Sequence, residues 1–273
     1  MKFAICSETF KGWKLDSIFG YCASIGYDAV EVAPFTLAKY VTDISVAERW
    51  RIRDSAKSAG IAISGIHWVL VEAEGMHITS PDAQTRKRTA RYFCELADFC
   101  ADIGGEAIIV GSPKQRSLGP GVSKAQGCTW ADEVFRPAVK RAEERGVVIC
   151  VEPLPADDTN FINTAAEAVC FVEPFASSAF KLILDVRAMC HEEKSPPQII
   201  RESRGYFAYV HANDKNLKGP GFGRVDYAPI AGALREVDYD GMISVEVFRY
   251  DEGPEVIASK SLAYLKRIFG NLE

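Results

Sequence analysis

Four short apolar runs, each closing on a residue able to bind a metal, constrain this chain more than any other feature. They are Val147–Val151 before Glu152, Leu182–Leu184 before Asp185, Ala208–Val210 before His211, and Ile243–Val245 before Glu246. Continuous apolar runs rich in β-branched residues are the mark of parallel strands buried on both faces. A carboxylate at the end of such a strand is costly unless it meets a cation or hydrogen bonds. One such residue is answered by a local ion pair. Four in succession, Glu, Asp, His, Glu, predict one shared metal site.

The rest of the chain repeats a unit of amphipathic helix, frequent glycine and apolar strand. Further strands are expected at Lys2–Cys6, Ala29–Val32, Ile61–His67 and Ala107–Val110. Helices are expected over Leu15–Ile25, Val46–Ala59, Trp130–Arg145, Thr164–Phe175, Pro196–Ser203, Pro229–Val237 and Pro254–Phe269. Another runs to about Ile103 from Ser80-Pro81-Asp82, read as an N-cap with Pro at the first helical position. Gly26, Gly104 and Gly146 lie just past helix ends, where a left-handed residue is wanted. Eight such units in 273 residues predict a (β/α)8 TIM barrel occupying residues 1–273 as a single domain. A doubly wound open sheet is the competitor, but no G-x-G-x-x-G follows the first strand. In a barrel the C-terminal strand ends build the active site, so all four ligand candidates share one face.

Charge and composition remove other classes. A net charge of −5 invites neither nucleic acid nor an anionic membrane. No apolar stretch reaches the ~18 residues of a membrane span, and the first apolar run is too short for a secretory leader. The eight cysteines include no C-x-x-C pair, and several sit in apolar elements, which predicts reduced thiols and a cytoplasmic location.

Carboxylate and imidazole donors without thiolate suit one divalent ion, Mn²⁺, Mg²⁺, Co²⁺ or Zn²⁺. Such an ion polarises a carbonyl and stabilises the enediolate left when a neighbouring C–H loses its proton. Glu152 and Glu246, from strands five and eight, are expected to lie nearly across the mouth, one on each face of the substrate. Proton removal from one face and return to the other is epimerisation; a single face doing both gives aldose–ketose isomerisation.

These residues resemble the xylose-isomerase-like TIM-barrel superfamily of sugar isomerases and epimerases, and within it the D-tagatose/D-psicose 3-epimerases. The likeness rests on Val151-Glu152-Pro153, Leu184-Asp185, Val210-His211 and Val245-Glu246, with the run Gly219–Tyr227 after strand seven. It covers strands five to eight. The first half matches only in general pattern, through Gly26–Glu31. The resemblance implies that Glu152, Asp185, His211 and Glu246 bind the metal and that the two glutamates transfer protons. Three positions depart from the 3-epimerase pattern. Ala188 stands where a substrate-binding His is found, Leu217 where an Arg is found, and Asp158 replaces a Glu. The metal set is kept while the sugar pocket is rebuilt, which points away from a free ketohexose.

Candidates for the rebuilt pocket are Trp13, Glu31, His67, Trp68, Lys114, Arg116, Asp158, Arg187, Asn213, Asp214 and Lys215. Trp13 and Trp68 are expected to stack on a sugar ring. Lys114 and Arg116, if both turn inward, favour an anionic or heavily hydroxylated substrate. The Gly219–Gly223 run lacks the order of a phosphate loop and reads as a tight rim turn. His77 and His191 have no partner pattern.

The expected function is therefore metal-dependent isomerisation or epimerisation of a sugar or keto-sugar. The alternative is a lyase or dehydratase acting on a keto-inositol or 3-keto-glycoside with the same metal site. A DNA-repair role like that of endonuclease IV, with its many histidines, conflicts with four His in all and net acidity. A sugar-binding barrel without catalysis is a further reading, against which both glutamates speak. The expected partner is a small-molecule sugar, with no nucleic acid and no membrane; self-association is left open.

Overall fold

The computed structural model describes residues 1–270. Its eight parallel strands are β1 Lys2–Cys6, β2 Ala29–Val32, β3 Ala62–Ile66, β4 Ala107–Val110, β5 Val148–Val151, β6 Phe180–Asp185, β7 Phe207–Ala212 and β8 Met242–Val245. They hydrogen-bond in chain order and close through β1 and β8, with Lys2 opposite Met242 and Ile5 opposite Val245. The helices are α1 Leu15–Ile25, α2 Val46–Ser58, α3 Ala83–Asp102, α4 Lys124–Arg145, α5 Ala165–Val172, α6 Val186–Met189, α7 Pro196–Glu202, α8 Ala228–Glu236 and α9 Pro254–Gly270. The expected (β/α)8 barrel is thus formed. Residues 271–273 of the expected domain lie outside the described residues.

Local chemistry sets most boundaries. Ser45, Ser123 and Thr164 cap α2, α4 and α5 through side-chain oxygens that accept from the third following N–H. Gly146 ends α4 at φ 68°, a left-handed conformation costly for a residue with a Cβ. Two expected boundaries are corrected. Helix α3 begins at Ala83 with Asp82 as its cap, because that carboxylate takes the N–H groups of Gln84 and Thr85. Helix α4 begins at Lys124 rather than Trp130. Gly127 weakens local helix propensity, yet it is where α4 meets Leu118 and Phe161, and a Cβ there would press on both. Tertiary packing overrides propensity at that turn.

The barrel interior is apolar below and polar above. Ala107, Ile109, Cys150, Ile183 and Tyr209 form a buried cluster. The Tyr209 hydroxyl lies 2.7 Å from Ser64 Oγ on β3 and 3.0 Å from Glu31 Oε2 on β2, so β7 reaches across the barrel at that level. Above it sit the charged side chains. Gly65 lets β3 close on β4, since a Cβ there would overlap the Ala107 carbonyl.

Among the described residues no helix is long and apolar enough to cross a membrane. All eight cysteines are free.

Candidate metal centre and active site

Glu152 follows β5 directly, Asp185 ends β6, His211 lies near the end of β7, and Glu246 follows β8. Each offers one donor atom, and these four atoms lie within 4.8 Å of one another. All four residues are buried. Parallel register brings them level: Asp185 pairs with His211, and the Glu246 N–H donates to the Ala212 carbonyl at 3.2 Å.

Each donor is held from behind. His211 Nε2 is 3.1 Å from both oxygens of Glu31. A carboxylate only accepts, so Nε2 carries a proton toward Glu31 and Nδ1 is the nitrogen turned to the cluster. Asp185 Oδ1 caps α6 through the Ala188 N–H at 2.7 Å, and its Oδ2 accepts from Asn213 Nδ2 at 2.5 Å. Glu246 Oε1 accepts from the indole Nε1 of Trp68 at 3.0 Å. Glu152 rests on the backbone of Gly111, where a Cβ would overlap Glu152 Oε2.

Two buried atoms remain without a hydrogen-bond partner, His211 Nδ1 and Glu246 Oε2. They approach to 3.1 Å, but not in hydrogen-bond geometry. Electrostatics point the same way. Burial, with Glu246 and Asp185 nearby, pushes Glu152 up to about 8. Asp185 rises to about 6, from burial and Glu246. At Glu246 burial is outweighed by His211, and its carboxyl stays below the usual range. Three acidic groups crowded without a cation, beside unpartnered N and O donors, fit a divalent ion well.

Beneath the quartet runs a second buried layer. His67 Nε2 donates to Glu8 Oε2 at 2.8 Å, and its Nδ1 lies 3.4 Å from Glu31 Oε1. Burial of Glu31 is outweighed by His211 and His67, which hold its carboxyl at about 2. Cys6 Sγ lies 3.6 Å from Glu31 Oε2. The structure therefore uses His67 and Glu31 as supports for the quartet, not as walls of the pocket, because both are fully sealed. Glu8 and Cys6 are site residues that the sequence pattern does not single out. Glu8 sits in a short turn just past β1, and its one signal is its place at a strand's C-terminal end.

Trp68 has a further role beside the expected stacking on a sugar. Its indole N–H donates to Glu246 Oε1 at 3.0 Å, and the rings of Phe35 and Phe248 stack near it at 5.7 and 6.2 Å. Its φ of 54° is uncommon for a bulky residue. Trp13 packs on Phe10 and Tyr21, and with Glu8, Trp68 and Tyr250 it lines a cavity of about 690 Å³. Arg187 pairs with Asp158 at 3.0 Å and lies over the Phe248 ring. Asn213 braces Asp185, and Asp214 accepts from the Val225 N–H at 2.9 Å, closing the Gly219–Gly223 turn on itself. Arg116 is buried. Lys114 of the same loop stays exposed, and exposed Lys215 lines a separate groove with Phe222 and Arg224, so the structure does not bring these two lysines to the quartet.

Substituting Ala for Gly111 is expected to push Glu152 aside and weaken divalent-metal affinity by roughly 10–100-fold, read by titration calorimetry. Unchanged affinity would mean that Glu152 does not depend on that seat.

Comparison with known proteins gives the same frame. A family model described as xylose isomerase-like TIM barrel matches residues 19–268. A D-psicose 3-epimerase of Ruminiclostridium cellulolyticum is 30% identical over 230 residues, 83% of this chain and 75% of that protein. A 3-dehydro-D-guloside 4-epimerase of Escherichia coli is 23% identical over 279 residues, 97% of this chain and 99% of that one. A crystal structure of D-psicose 3-epimerase in the presence of D-fructose superposes with a TM-score of 0.86 at 25% identity, covering 99% of this chain and 100% of that chain. With its closed eight-stranded barrel, the chain belongs to the xylose isomerase-like TIM barrel family and stands among its sugar isomerases and epimerases.

Proposed function

We propose that this protein, as one barrel domain, is a divalent-metal-dependent epimerase of a keto-sugar, with Glu152, Asp185, His211 and Glu246 holding the ion. The observation that carries it is the quartet itself: four buried donors within 4.8 Å, with His211 Nδ1 and Glu246 Oε2 unpartnered. When bound, the cation supplies positive charge that lowers the cost of negative charge on an adjacent carbonyl oxygen. Glu152 on the β5 side and Glu246 on the β8 side are the proton-transfer groups, working from opposite faces of the substrate carbon. Trp68 fixes Glu246 through Oε1, and Gly111 seats Glu152, so neither carboxylate needs to reorganise before transfer. Trp13 and Glu8 offer one wall to the rest of the sugar, and the Arg187–Asp158 pair a second. The epimerase names of the relatives support epimerisation over the lyase alternative.

The substrate departs from that of the 3-epimerases. Ala188 is buried with its N–H spent on Asp185. Leu217 adopts φ 69°, and its carbonyl accepts from the N–H groups of Phe248 and Arg249. Neither side chain offers a polar contact. D-psicose and D-fructose are expected to turn over with kcat/KM at least about tenfold below a 3-epimerase for each missing hydrogen bond to substrate. A panel of ketoses and 3-keto-glycosides followed by chromatography checks this. Turnover of D-psicose at a 3-epimerase's rate contradicts it, and no epimerisation of any keto-sugar contradicts the function.

Metal uptake is expected to release protons. Glu152, raised to about 8 without a cation, is largely protonated at pH 7 and must lose that proton to bind. Affinity should therefore rise with pH up to about 8 and fall as pH drops. Calorimetric titration of metal-free protein in buffers of different ionisation enthalpy measures the protons released. Affinity flat from acid to pH 8 would contradict the assignment of Glu152 as a ligand.

A further inference from the structure

The buried layer beneath the quartet holds a second set of donors. Cys6 ends β1, Glu8 lies two residues on, and His67 directly follows β3. Cys6 Sγ, one carboxylate oxygen of Glu8 and one ring nitrogen of His67 lie within 4.8 Å of one another, as close as the donors of the quartet. All three residues are buried. None of them belongs to the quartet, and proton transfer by Glu152 and Glu246 makes no use of a thiol.

His67 repeats the arrangement of His211. Each ring turns one nitrogen to Glu31, at 3.4 Å for His67 Nδ1 and 3.1 Å for His211 Nε2. Each turns the other to a carboxylate of its own cluster. His67 Nε2 lies 2.8 Å from Glu8, and His211 Nδ1 lies 3.1 Å from Glu246. A carboxylate behind a histidine orients the ring and raises the basicity of the nitrogen in front, which is how metal-ligating histidines are held. Glu8 Oε1 has no hydrogen-bond partner although it is buried. Among the described residues no Lys or Arg pairs with Glu8 or Glu31, whose ion-pair partners are His67 and His211. Two buried carboxylates beside a thiol are thus left without a fixed cation, and a divalent ion supplies one. Access is open on one side: Glu8 and its neighbour Ser7 line the cavity of about 690 Å³ that Trp13 and Trp68 also line.

We propose that Cys6, Glu8 and His67 bind a second divalent ion, and that the thiolate selects Zn²⁺ or Co²⁺ over Mg²⁺ or Mn²⁺. Three protein donors leave the fourth position of such an ion to water from the cavity. The thiol gives up its proton as the ion binds. The site stands apart from what the quartet does to a substrate. A plain His67–Glu8 hydrogen bond with no ion is the competitor, but it accounts for neither the nearby Cys6 Sγ nor the free Glu8 Oε1.

The test is a count of bound ions. Metal-free protein is loaded with Co²⁺, Zn²⁺, Mn²⁺ or Mg²⁺ in separate samples, desalted and analysed for metal. Two ions per chain are expected with Co²⁺ or Zn²⁺, and one with Mn²⁺ or Mg²⁺. The second Co²⁺ should bring a thiolate-to-cobalt charge-transfer band in the near ultraviolet, which carboxylate and imidazole donors do not give. Cys6→Ser should lose that band and one Co²⁺, and Glu8→Gln should lose the second ion as well. Both variants should keep one Mn²⁺. A single ion in the wild type with every metal overturns the proposal. So does a band that survives in Cys6→Ser, because another of the eight cysteines would then be the ligand. Should Cys6→Ser not fold, Glu8→Gln gives the same two readings, and a second Co²⁺ retained there with its band overturns the proposal too. A single ion leaves the assignment of the quartet standing, whereas a wild type that binds no ion fails both sites.

Discussion

Glu152→Gln and Glu246→Gln should each lower turnover of the natural substrate by ~10²–10⁴-fold, the usual loss when a positioned proton acceptor is removed. Both replacements keep size, so the barrel should stay intact. The two should differ in their side effects. Glu246 receives the Trp68 indole on Oε1, and a Gln can keep that bond only by turning its amide nitrogen toward His211. Glu152 has no such fixed donor and rests on Gly111, so its Gln variant should retain more of the metal affinity. Steady-state kinetics together with metal analysis of each variant separate these effects. Full activity in both would leave the glutamates as ligands alone.

Chelation of the metal is the second large effect expected. Without a cation, turnover should fall by at least ~10²–10³-fold, the scale of losing a positioned electrostatic stabiliser. Stability should fall as well, because the crowded carboxyl groups of Glu152, Asp185 and Glu246 lose the charge of the ion. An ion at a hundredfold excess over its Kd adds about 2.7 kcal/mol, or roughly 5–10 °C in Tm for a chain of this size. Readdition of Mn²⁺, Mg²⁺, Co²⁺ or Zn²⁺ one at a time, followed by melting and activity assays, identifies the effective ion. A Tm indifferent to every divalent ion would contradict the metal assignment.

The barrel and the quartet are legible in the chain because both are written locally. Each strand is a short apolar run, each helix is periodic, and each ligand candidate stands at a strand end. What stays hidden depends on distant partners. Both faces of a barrel strand are buried, so nothing local tells that Tyr209 points inward to Glu31 and Ser64. Nothing local to Trp68 shows that its indole holds Glu246, because the residues around it come from positions 35, 246 and 248. Lys114 and Arg116 are indistinguishable as two cations in one loop; only the fold buries one and leaves the other in solvent. His67 reads as a pocket residue from its place at the end of β3, but Glu8 and Glu31 close over it. Even the start of α4 is obscured by Gly127, whose reason for being there is contact with Phe161.

The most direct test of proton transfer at this centre is deuterium wash-in from D₂O, followed by NMR, on the wild type and the two Gln variants with a turned-over keto-sugar. With one glutamate on each face, the wild type should place deuterium at the carbon whose configuration changes. Each single variant should still exchange that position from its remaining face while net epimerisation collapses. Turnover by the wild type with no solvent deuterium at that carbon, or exchange and turnover untouched in both variants, would contradict it.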